Sequence, residues 1–447
     1  MMRLAIIGTG YVGLVSGVCL ASKGHLVTCF DINERTVNQL NKGICHIYEN
    51  SLEKLLIDNK SNISFSLLED ETEQQLLGFD AVLVAVGTPT KHGRTDLSQI
   101  ESVGRMLGRL IKNSTKYISV IIKSTVIPGT TDTFMKNILE KESGKKVGDF
   151  GLGMNPEFLR EGNAIEDFQF PDRIVLGYED EKTLDILNRI YEPWACEKIE
   201  INTRSAEMMK YVNNALLATL ISTINEYSNI ARELGNIDFK KVMQGVHSDN
   251  RWSPLDGDGK KINPKIIDYL KPGCGYGGSC FPKDVMAMSA LAEDIGVSSS
   301  ILSAVIEVNE KQPEVIIDIL KENVSQLKNK RILMLGLSFK PDTDDVRESV
   351  SLKLLQQLDS QVKSLAAHDP IAMPNAQNAV AFGNNIEFVD NWRNKLPEID
   401  IVIIATNWAE YRDLAHLPDQ IDGKIILDAR SLLNKTDLPN VKYITVN

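Results

Sequence analysis

The first 200 residues alternate between short apolar runs and longer stretches of helical composition. The apolar runs have the length of buried strands, and they lie at residues 3–7, 26–30, 81–86, 118–122 and 174–177. This alternation predicts a parallel sheet with helices on both faces. Two of the runs end in polar turns, at residues 87–89 and 123–125. Because ligands bind at the carboxyl ends of such strands, both turns are expected to face a ligand.

One long helix and a second α/β region follow. Residues 204–234 contain no proline and precede Gly235, so they predict a single helix. Its length of ~45 Å is enough to join two domains, and its apolar residues face several directions, which predicts burial on more than one side. Further strands are predicted at residues 332–335, 364–367, 401–405 and 425–427. We therefore expect two doubly wound parallel-sheet domains, 1–203 and 326–447, joined by a central helical domain, 204–325.

Net charge, cysteine spacing and the lengths of the apolar stretches argue against several classes of binding partner. The 447-residue chain carries a net charge of −11, and it has no concentrated basic run, which argues against a nucleic-acid surface. Its six cysteines form no C-x-x-C pair or metal-spaced cluster, as expected in a reducing cytoplasm. No apolar stretch approaches the ~20 residues that span a bilayer. We expect a cytoplasmic protein without nucleic-acid, membrane or metal partners.

The N-terminal region carries a dinucleotide-binding pattern. A strand leads into Gly8-Thr9-Gly10-Tyr11-Val12-Gly13, a helix follows, and a second strand ends at Asp31. In a Rossmann-like βαβ unit, Gly8 permits the turn, Gly10 lets the pyrophosphate approach, and Gly13 lets helix and strand pack closely. Asp31 would bind the adenosine ribose and repel a 2′-phosphate. The pattern therefore predicts NAD in preference to NADP.

Cys280 is the candidate nucleophile. It follows Gly277 and Gly278 and lies just before a predicted helix that has Pro282 in its first turn. Helix N-termini favour a thiolate, and a thiolate beside a glycine-lined pocket indicates covalent catalysis. The alternative is a small buried cysteine beside a turn.

Several separated motifs resemble one family nearly end to end. They are the glycine motif with Leu14-Val15-Ser16-Gly17, Gly87-Thr88-Pro89-Thr90, Lys123-Ser124-Thr125-Val126-Ile127-Pro128-Gly129-Thr130, Asn155-Pro156-Glu157-Phe158-Leu159-Arg160-Glu161-Gly162, Lys210-Tyr211-Val212-Asn213-Asn214, the Cys280 segment, and Gly336-Leu337-Ser338-Phe339-Lys340-Pro341 with Arg347-Glu348-Ser349. The chain thereby resembles the UDP-glucose dehydrogenases of the UDP-glucose/GDP-mannose dehydrogenase family. The resemblance implies oxidation of UDP-glucose to UDP-glucuronate with two NAD, through a thiohemiacetal and a thioester on Cys280.

The resemblance also implies roles for individual residues. Lys210 and Asn214, one turn apart on the long helix, would stabilise the developing oxyanion, although spacing alone equally allows a lysine that reaches solvent beside a core asparagine. Asp284 would take part in proton transfer, and Glu161 would be the base for thioester hydrolysis. Without the resemblance, Glu157 and Glu161 would be interpreted as a solvated surface pair. Thr125 would contact the nicotinamide ribose or the catalytic water.

The binding residues implied by the same resemblance fall into two sets. The NAD set is Gly8, Gly10, Tyr11, Val12, Gly13, Asp31, Arg35, Thr88, Thr125, Glu161, Lys283 and Arg347. The UDP-sugar set is Glu157, Phe158, Leu159, Arg160, Glu161, Lys210, Asn214, Arg251, Tyr269, Leu270, Lys271, Pro272, Gly273, Tyr276, Gly277, Phe339, Lys340 and Arg430. A homodimer through the long helix is expected.

Three departures from the family pattern leave alternatives open. The segment 252–262 is longer than the family's usual spacing, Cys274 lies six residues before Cys280, and Ser431 replaces the asparagine of an Asp-x-Arg-Asn motif. The same chemistry on a UDP-N-acetylhexosamine or on GDP-mannose is one alternative. A two-electron hydroxy-acid type of dehydrogenase and a non-catalytic NAD-binding protein are the others.

Overall fold

The chain consists of two compact units. The computed structural model describes residues 1–69, 72–91, 93–379, 383 and 385–446. The first unit is Met1–Asn213 and the second is Asn214–Asn447. The expected boundaries of three domains stay a prediction.

The first unit is built on an eight-stranded sheet. The ten strands of the described part of this unit are β1 (Arg3–Ile7), β2 (Leu26–Asp31), β3 (Ile63–Leu67), β4 (Ala81–Val84), β5 (Thr90–Lys91), β6 (Arg94–Thr95), β7 (Ser119–Ile122), β8 (Gly151–Met154), β9 (Arg173–Tyr178) and β10 (Glu197–Asn202). The sheet order is β10-β9-β8-β7-β4-β1-β2-β3, while β5 and β6 pair only with each other. Every neighbouring pair in the large sheet is parallel except β8 and β9. Because β8 and β9 are antiparallel, the segment that joins them stays at one end of the sheet and does not have to cross a face of it.

Helices connect these strands. They are α1 (Tyr11–Ser22), α2 (Glu34–Asn41), α3 (Leu52–Asp58), α4 (Thr72–Leu76), α5 (Ser98–Asn113), α6 (Lys136–Ser143), α7 (Ala164–Gln169) and α8 (Glu181–Ile190), with a π-helical turn at Thr130–Met135. The long helix α9 (Thr203–Leu234) follows β10 and contains residues of both units. Alternate residues of β1 enter different cores: Leu4 and Ile6 pack in one cluster, Ala5 and Ile7 in the other. Because side chains alternate across a strand, the sheet is covered on both faces.

The second unit contains a six-stranded parallel sheet. Its strands are β11 (Arg331–Leu335), β12 (Ser364–His368), β13 (Ile386–Phe388), β14 (Ile401–Ile404), β15 (Ile425–Asp428) and β16 (Lys442–Thr445), in the order β13-β12-β11-β14-β15-β16. Its helices are α10 (Phe239–His247), α11 (Phe281–Asp294), α12 (Ser300–Asn323), α13 (Val350–Leu358), α14 (Met373–Ala379), α15 (Trp392–Lys395) and α16 (Pro418–Ile421). This strand order is the doubly wound one, and the first six strands across the first sheet, from β3 to β8, repeat it.

The predicted α/β fold with two Rossmann-like sheets and a long helix is confirmed. The helix expected over 204–234 is Thr203–Leu234, and each predicted strand is present within one or two residues. The sequence patterns missed β3, β8, β10, β13 and β16 of the two large sheets, and the short strands β5 and β6. In β8, a Cβ on Gly151 would lie 2.3 Å from the hydroxyls of Ser119 and Thr183, so glycine is required there for close packing. In the described part of the chain, no helix has the length and apolarity needed to cross a membrane.

Candidate active site

The turn after β1 has the geometry of a dinucleotide cradle. Gly8 has φ +97°, and a Cβ on Gly13 would lie 1.9 Å from the Gly8 carbonyl oxygen. A Cβ on Gly10 would meet no described atom within 4 Å, and no described side chain caps α1, whose N-cap is Gly10. The space above Gly10 and the amides of Tyr11 and Val12 at the helix start fit a pyrophosphate.

Asp31, at the end of β2, is fixed by this turn. One carboxylate oxygen accepts hydrogen bonds from the Thr9 amide (2.8 Å) and hydroxyl (2.6 Å), and the other accepts from the Asn33 amide (2.9 Å). A carboxylate has about four acceptor positions, so capacity remains for a ribose hydroxyl. Asp31 is half-buried, and Arg35 is exposed on α2. The structure thus places Gly8, Gly10, Gly13 and Asp31 as the dinucleotide pattern requires.

Two of the predicted strand-end turns lie against each other. The Thr88 hydroxyl, after β4, donates to the Thr125 carbonyl oxygen, after β7, at 2.8 Å. The Ser124 hydroxyl donates to the Val86 carbonyl oxygen at 2.7 Å. Thr88 and Thr125 are both half-buried at the carboxyl edge of the sheet, so the structure brings them together.

Glu157 and Lys210 form a buried ion pair. The Lys210 ammonium lies 2.9 Å from one Glu157 carboxylate oxygen, and the two side chains are 4% and 6% exposed. The other Glu157 oxygen accepts from the Leu159 amide at 2.6 Å. Burial acts to raise the pKa of Glu157, but the charge and hydrogen bond of Lys210 hold it below its usual value. The alternative interpretations, a solvated Glu157 and a lysine reaching solvent, are wrong for these two residues.

Three other residues of the Asn155–Gly162 motif, Phe158, Arg160 and Glu161, differ in exposure and contacts. Arg160 is exposed and forms an ion pair with Asp167 at 2.6 Å, and the Phe158 ring lies 5.4 Å from the Lys210 ammonium. Glu161 is half-buried, and its charge contributes to a raised pKa of Tyr11, for which burial and a hydrogen bond to Glu49 are the larger causes.

Cys280 is the N-cap residue of α11 and is half-buried. Its sulfur lies 3.5 Å from the Ser279 hydroxyl, and its carbonyl oxygen accepts the first helical bond, from the Asp284 amide, at 2.9 Å. The predicted helix is confirmed as Phe281–Asp294, with Pro282 in its first turn.

Asp284 is 1% exposed one turn into α11, and two side chains hold it. The Asn214 amide group donates to one carboxylate oxygen at 2.7 Å, and the Lys283 ammonium lies 2.5 Å from the other. Asn214 is 5% exposed on α9. The structure thus brings together Asn214, Lys283 and Asp284 in the second unit, next to Cys280 in the chain.

The glycine loop before Cys280 packs tightly on the Phe339 and Arg347 motifs. A Cβ on Gly277 would lie 2.5 Å from the Glu348 carbonyl oxygen, and one on Gly278 would lie 2.8 Å from the Phe339 ring. The Gly278 amide donates to the Arg347 carbonyl oxygen at 2.9 Å. Because neither glycine position admits a side chain, the loop that carries Cys280 is fixed in place.

The structure brings together only some of the UDP-sugar residues that are predicted in the second unit. Arg430 lies close to Gly273 and donates to the Ala405 carbonyl oxygen at 2.7 Å. Tyr269, Tyr276 and Leu270 are buried or half-buried, and Tyr269 and Tyr276 pack near Phe281. The remaining side chains of this set are exposed or half-buried: Lys271 with Asp268, Pro272, Lys340 over Phe339, and Arg251 with Asp249. Arg347, of the predicted NAD set, is exposed and pairs with Asp345 at 2.8 Å. Arg251 is 87% exposed, so its expected diphosphate role stays a prediction.

Cys274 fills a buried position. Its sulfur lies 3.9 Å and 3.8 Å from the carbonyl oxygens of Ala405 and Ala429, and burial raises its pKa. All six cysteines are free thiols. The surroundings favour a packing role for Cys274 over a disulfide with Cys280.

Sequence reasoning missed several buried polar residues. Glu49 accepts from the Tyr11 hydroxyl and from the amides of Gly162 and Ala164, and so links the dinucleotide turn to the Glu161 segment. Glu207, three residues before Lys210 on α9, accepts from the amides of Gly129 and Thr131 at 2.6 and 2.7 Å, and burial raises its pKa to about 7. A charged residue on an otherwise apolar helix face was the available signal for Glu207.

Family comparisons agree with this architecture. Three models of the UDP-glucose/GDP-mannose dehydrogenase family match the chain: the NAD binding domain at residues 2–195, the central domain at 204–311 and the UDP binding domain at 333–435. The fold and these matches define an NAD-dependent dehydrogenase with a UDP-binding domain for a UDP-sugar.

Individual relatives give the same result. The UDP-glucose 6-dehydrogenase YwqF of Bacillus subtilis is 36% identical, covering 100% of this chain and 97% of its own. AglM of Haloferax volcanii, a UDP-glucose 6-dehydrogenase, is 35% identical, covering 98% of both chains. The solved UDP-glucose dehydrogenase of Pyrobaculum islandicum matches with TM-score 0.88 and 36% identity, covering 100% of this chain and 98% of that one. The chain belongs to the UDP-glucose/GDP-mannose dehydrogenase family.

Proposed function

We propose that this protein oxidises the C6 alcohol of UDP-glucose to UDP-glucuronate, with two NAD and a covalent intermediate on Cys280. The observation that carries the proposal is the start of α11, where Cys280 caps the helix and the buried Asp284 is held by Asn214 and Lys283. A two-electron dehydrogenase has no use for that cysteine. The relatives named above, at 35–36% identity, are UDP-glucose enzymes, which favours UDP-glucose among the nucleotide sugars.

NAD, when bound, accepts one hydride from C6 in each oxidation. Gly8, Gly10 and Gly13 would hold its pyrophosphate with the amides of Tyr11 and Val12, and Asp31 would bind the adenosine ribose. Arg35, Thr88, Thr125, Lys283 and Arg347 complete the proposed set. The linked Thr88 and Thr125 turns would limit how the nicotinamide end can be placed.

Lys210 would stabilise the oxygen of the substrate during the first oxidation. As C6 loses a hydride, its hydroxyl loses a proton and negative charge develops on oxygen. An ammonium that Glu157 holds in a fixed position can offset that charge without reorganisation. Asn214 would donate a hydrogen bond to the same oxygen, and Asp284 would relay the proton.

Cys280 would retain the aldehyde. Its sulfur bonds to C6 and the oxygen takes a proton, which gives a thiohemiacetal. Loss of a second hydride and the hydroxyl proton gives a thioester. Glu161 would then remove a proton from water, the water oxygen would bond to C6, and the C–S bond would break to return the thiol. One alcohol, two NAD and one water thus give one carboxylate, two NADH and three protons.

The UDP-sugar would be bound by the residues that the family resemblance implies. They are Glu157, Phe158, Leu159, Arg160, Glu161, Lys210, Asn214, Arg251, the segment 269–273, Tyr276, Gly277, Phe339, Lys340 and Arg430. The amides of the 269–273 segment would contact the diphosphate.

The test is the number of NADH formed per nucleotide sugar. Limiting UDP-glucose, a UDP-N-acetylhexosamine and GDP-mannose would each be incubated with excess NAD, and absorbance at 340 nm followed to completion. We expect two NADH per UDP-glucose and little turnover of the others. One NADH per UDP-glucose would refute the covalent route, whereas two NADH from another sugar alone would retain the chemistry and change the substrate. The insertion at 252–262 is the reason to include the other sugars.

A homodimer through α9 is proposed as well. This helix exposes a series of apolar residues along its length, namely Met208, Val212, Leu216, Tyr227, Ile230 and Leu234. Exposed apolar patches of this kind mark interfaces. Sedimentation of the protein and of Leu216→Glu is the test, because the charge on a side chain that is 60% exposed should dissociate a dimer without disturbing the fold.

A further inference from the structure

Lys123 is a buried lysine to which the proposed mechanism gives no task. It directly follows β7, is 2% exposed, and its amide donates to the Val84 carbonyl oxygen at 2.8 Å. Its ammonium donates to the Asn155 side-chain oxygen at 2.7 Å and lies 3.5 Å from the Tyr191 hydroxyl. Within the described residues, no carboxylate forms an ion pair with it. Burying an ammonium on neutral partners is costly, so a compensating role is expected.

Asn155 is held in one orientation by these contacts. Its side-chain oxygen accepts from Lys123 and from the Tyr191 hydroxyl (2.5 Å), and its amide group donates to the Val175 carbonyl oxygen on β9 (2.9 Å). Two residues later the same segment carries Glu157, which pairs with Lys210. Lys123 therefore stabilises the start of the segment that positions Lys210.

Lys123 also acts through its charge. Lys123, Lys210 and Glu157 are all buried, and when all three are ionised they carry one net positive charge. After Lys210, Lys123 is a further charge that lowers the pKa of Glu157. An excess positive charge inside the protein stabilises negative charge that develops at Lys210.

We propose that Lys123 is a positioning residue of the active site, which fixes the Asn155–Glu157 segment and supplies the excess positive charge that supports Lys210. This inference rests on the proposed role of Lys210. It predicts that activity requires the protonated form of Lys123.

The surroundings of Lys123 determine where it loses its proton. Burial, opposed by Glu157 and aided by Lys210, lowers the pKa of Lys123 to about 8. The other titratable groups that face it are Cys19 on α1, whose pKa burial raises to about 12, and Tyr191, whose pKa burial also raises. Both stay neutral near pH 8, and the lowered pKa of Glu157 keeps it ionised. Lys123 is therefore expected to lose its proton near pH 8.

The experiment measures the rate of the first NADH from pH 6 to 10.5 in Lys123→Met, Lys123→Arg and the unsubstituted enzyme. Tyr191→Phe removes one hydrogen bond to Asn155 without removing charge. Lys145→Met is the matched control, because Lys145 is a half-buried lysine that donates to the main-chain oxygens of Ile111 and Ser114.

We expect an alkaline decline near pH 8 in the unsubstituted enzyme and in Tyr191→Phe. Lys123→Met should lose that decline, with a KM for NAD within about 2-fold. Its kcat should fall by about 10-fold or more, because a charge that does not touch the substrate should contribute less than an oxyanion-hole donor, whose removal typically costs about 100–1,000-fold. Lys123→Arg should move the decline above pH 10, because a guanidinium stays charged. Lys145→Met should leave kcat and the pH profile unchanged.

A profile in Lys123→Met that is merely scaled, with its decline still near pH 8, would overturn the proposal. If Lys123→Met does not fold, Lys123→Arg decides: a decline that stays near pH 8 in this variant overturns it equally. Because the rate is taken from the first NADH, a final count of one NADH per sugar would refute the proposed four-electron function and leave the Lys123 comparison intact.

Discussion

The buried Glu157–Lys210 ion pair predicts that Glu157→Gln destabilises the protein more than Lys210→Met does. In Glu157→Gln, the amide that replaces the carboxylate must face both the Lys210 ammonium, at 2.9 Å, and the Leu159 amide, at 2.6 Å. Both groups are donors, and a glutamine presents only one acceptor atom. One donor therefore faces the NH2 group, and the Lys210 ammonium loses its carboxylate.

The magnitude follows from burial. Removing one partner of a buried ion pair costs about 3–5 kcal/mol, and a unit of about 200 residues shifts its unfolding midpoint by about 2–4 °C per kcal/mol. We expect Glu157→Gln to lower the midpoint by about 6–20 °C. Lys210→Met should cost less than Glu157→Gln, because the Glu157 carboxylate keeps the Leu159 hydrogen bond and the nearby charge of Lys123.

The assay is thermal unfolding followed by circular dichroism at pH 7. The control is Glu101→Gln, which breaks an ion pair of similar length, 2.6 Å, whose partners are 41–45% exposed. Surface pairs contribute little, so the control should not move the midpoint measurably. Equal effects of Glu157→Gln and the control, or a larger effect of Lys210→Met than of Glu157→Gln, would refute the reasoning.

Four further predictions concern single residues. Cys280→Ser should abolish net turnover and leave NAD binding by calorimetry intact, because serine is a far poorer nucleophile at neutral pH; normal turnover would end the covalent proposal. Glu161→Gln should slow hydrolysis more than oxidation, so a thioester should accumulate on Cys280 and appear by mass spectrometry; a slow enzyme without an adduct would place Glu161 in an earlier step. Asp31→Ala should reduce the preference for NAD over NADP in kcat/KM, and an unchanged ratio would assign the discrimination to Arg35. Ser431 has φ +50° and is exposed, so Ser431→Asn, which suits the left-handed region better, should raise the unfolding midpoint by about 1–2 °C; a fall would show that the family's asparagine has another purpose here.

The sequence predicted best where a residue type is forced by local geometry. The positive φ of Gly8 and the contact of Gly13 with the Gly8 carbonyl oxygen admit only glycine, so the spacing of these residues was sufficient to identify the turn. Strands β1 and β4 were visible because burial on both faces requires an unbroken apolar run. Edge strand β10, Glu197–Asn202, has only two apolar residues, Ile199 and Ile201, separated by Glu200, and so offers no such run.

The buried polar contacts were beyond the sequence for a physical reason. Glu157 and Lys210 are 53 residues apart, and Lys123 and Tyr191 are 68 apart, so only the folded sheet brings each pair together. In another fold, the same residue types at the same spacing would be solvated surface charges. For Arg251, a motif position suggested contact with a diphosphate; the structure shows the side chain at the surface beside Asp249, and the diphosphate role stays a prediction.

The two sheets show how one strand order serves two ligands. Each has an aspartate where the second strand of the chain order ends: Asp31 is the last residue of β2, and Asp369 directly follows β12. Asp31 is half-buried and keeps acceptor capacity for a ribose. Asp369 is fully buried and accepts from five main-chain or hydroxyl groups of residues 337, 338, 371 and 372 and from the Trp408 indole. A carboxylate so occupied cannot bind an adenosine ribose, and the turn before it lacks the full glycine pattern. The second sheet therefore cannot recognise NAD in the way the first does, which agrees with its match to a UDP binding domain.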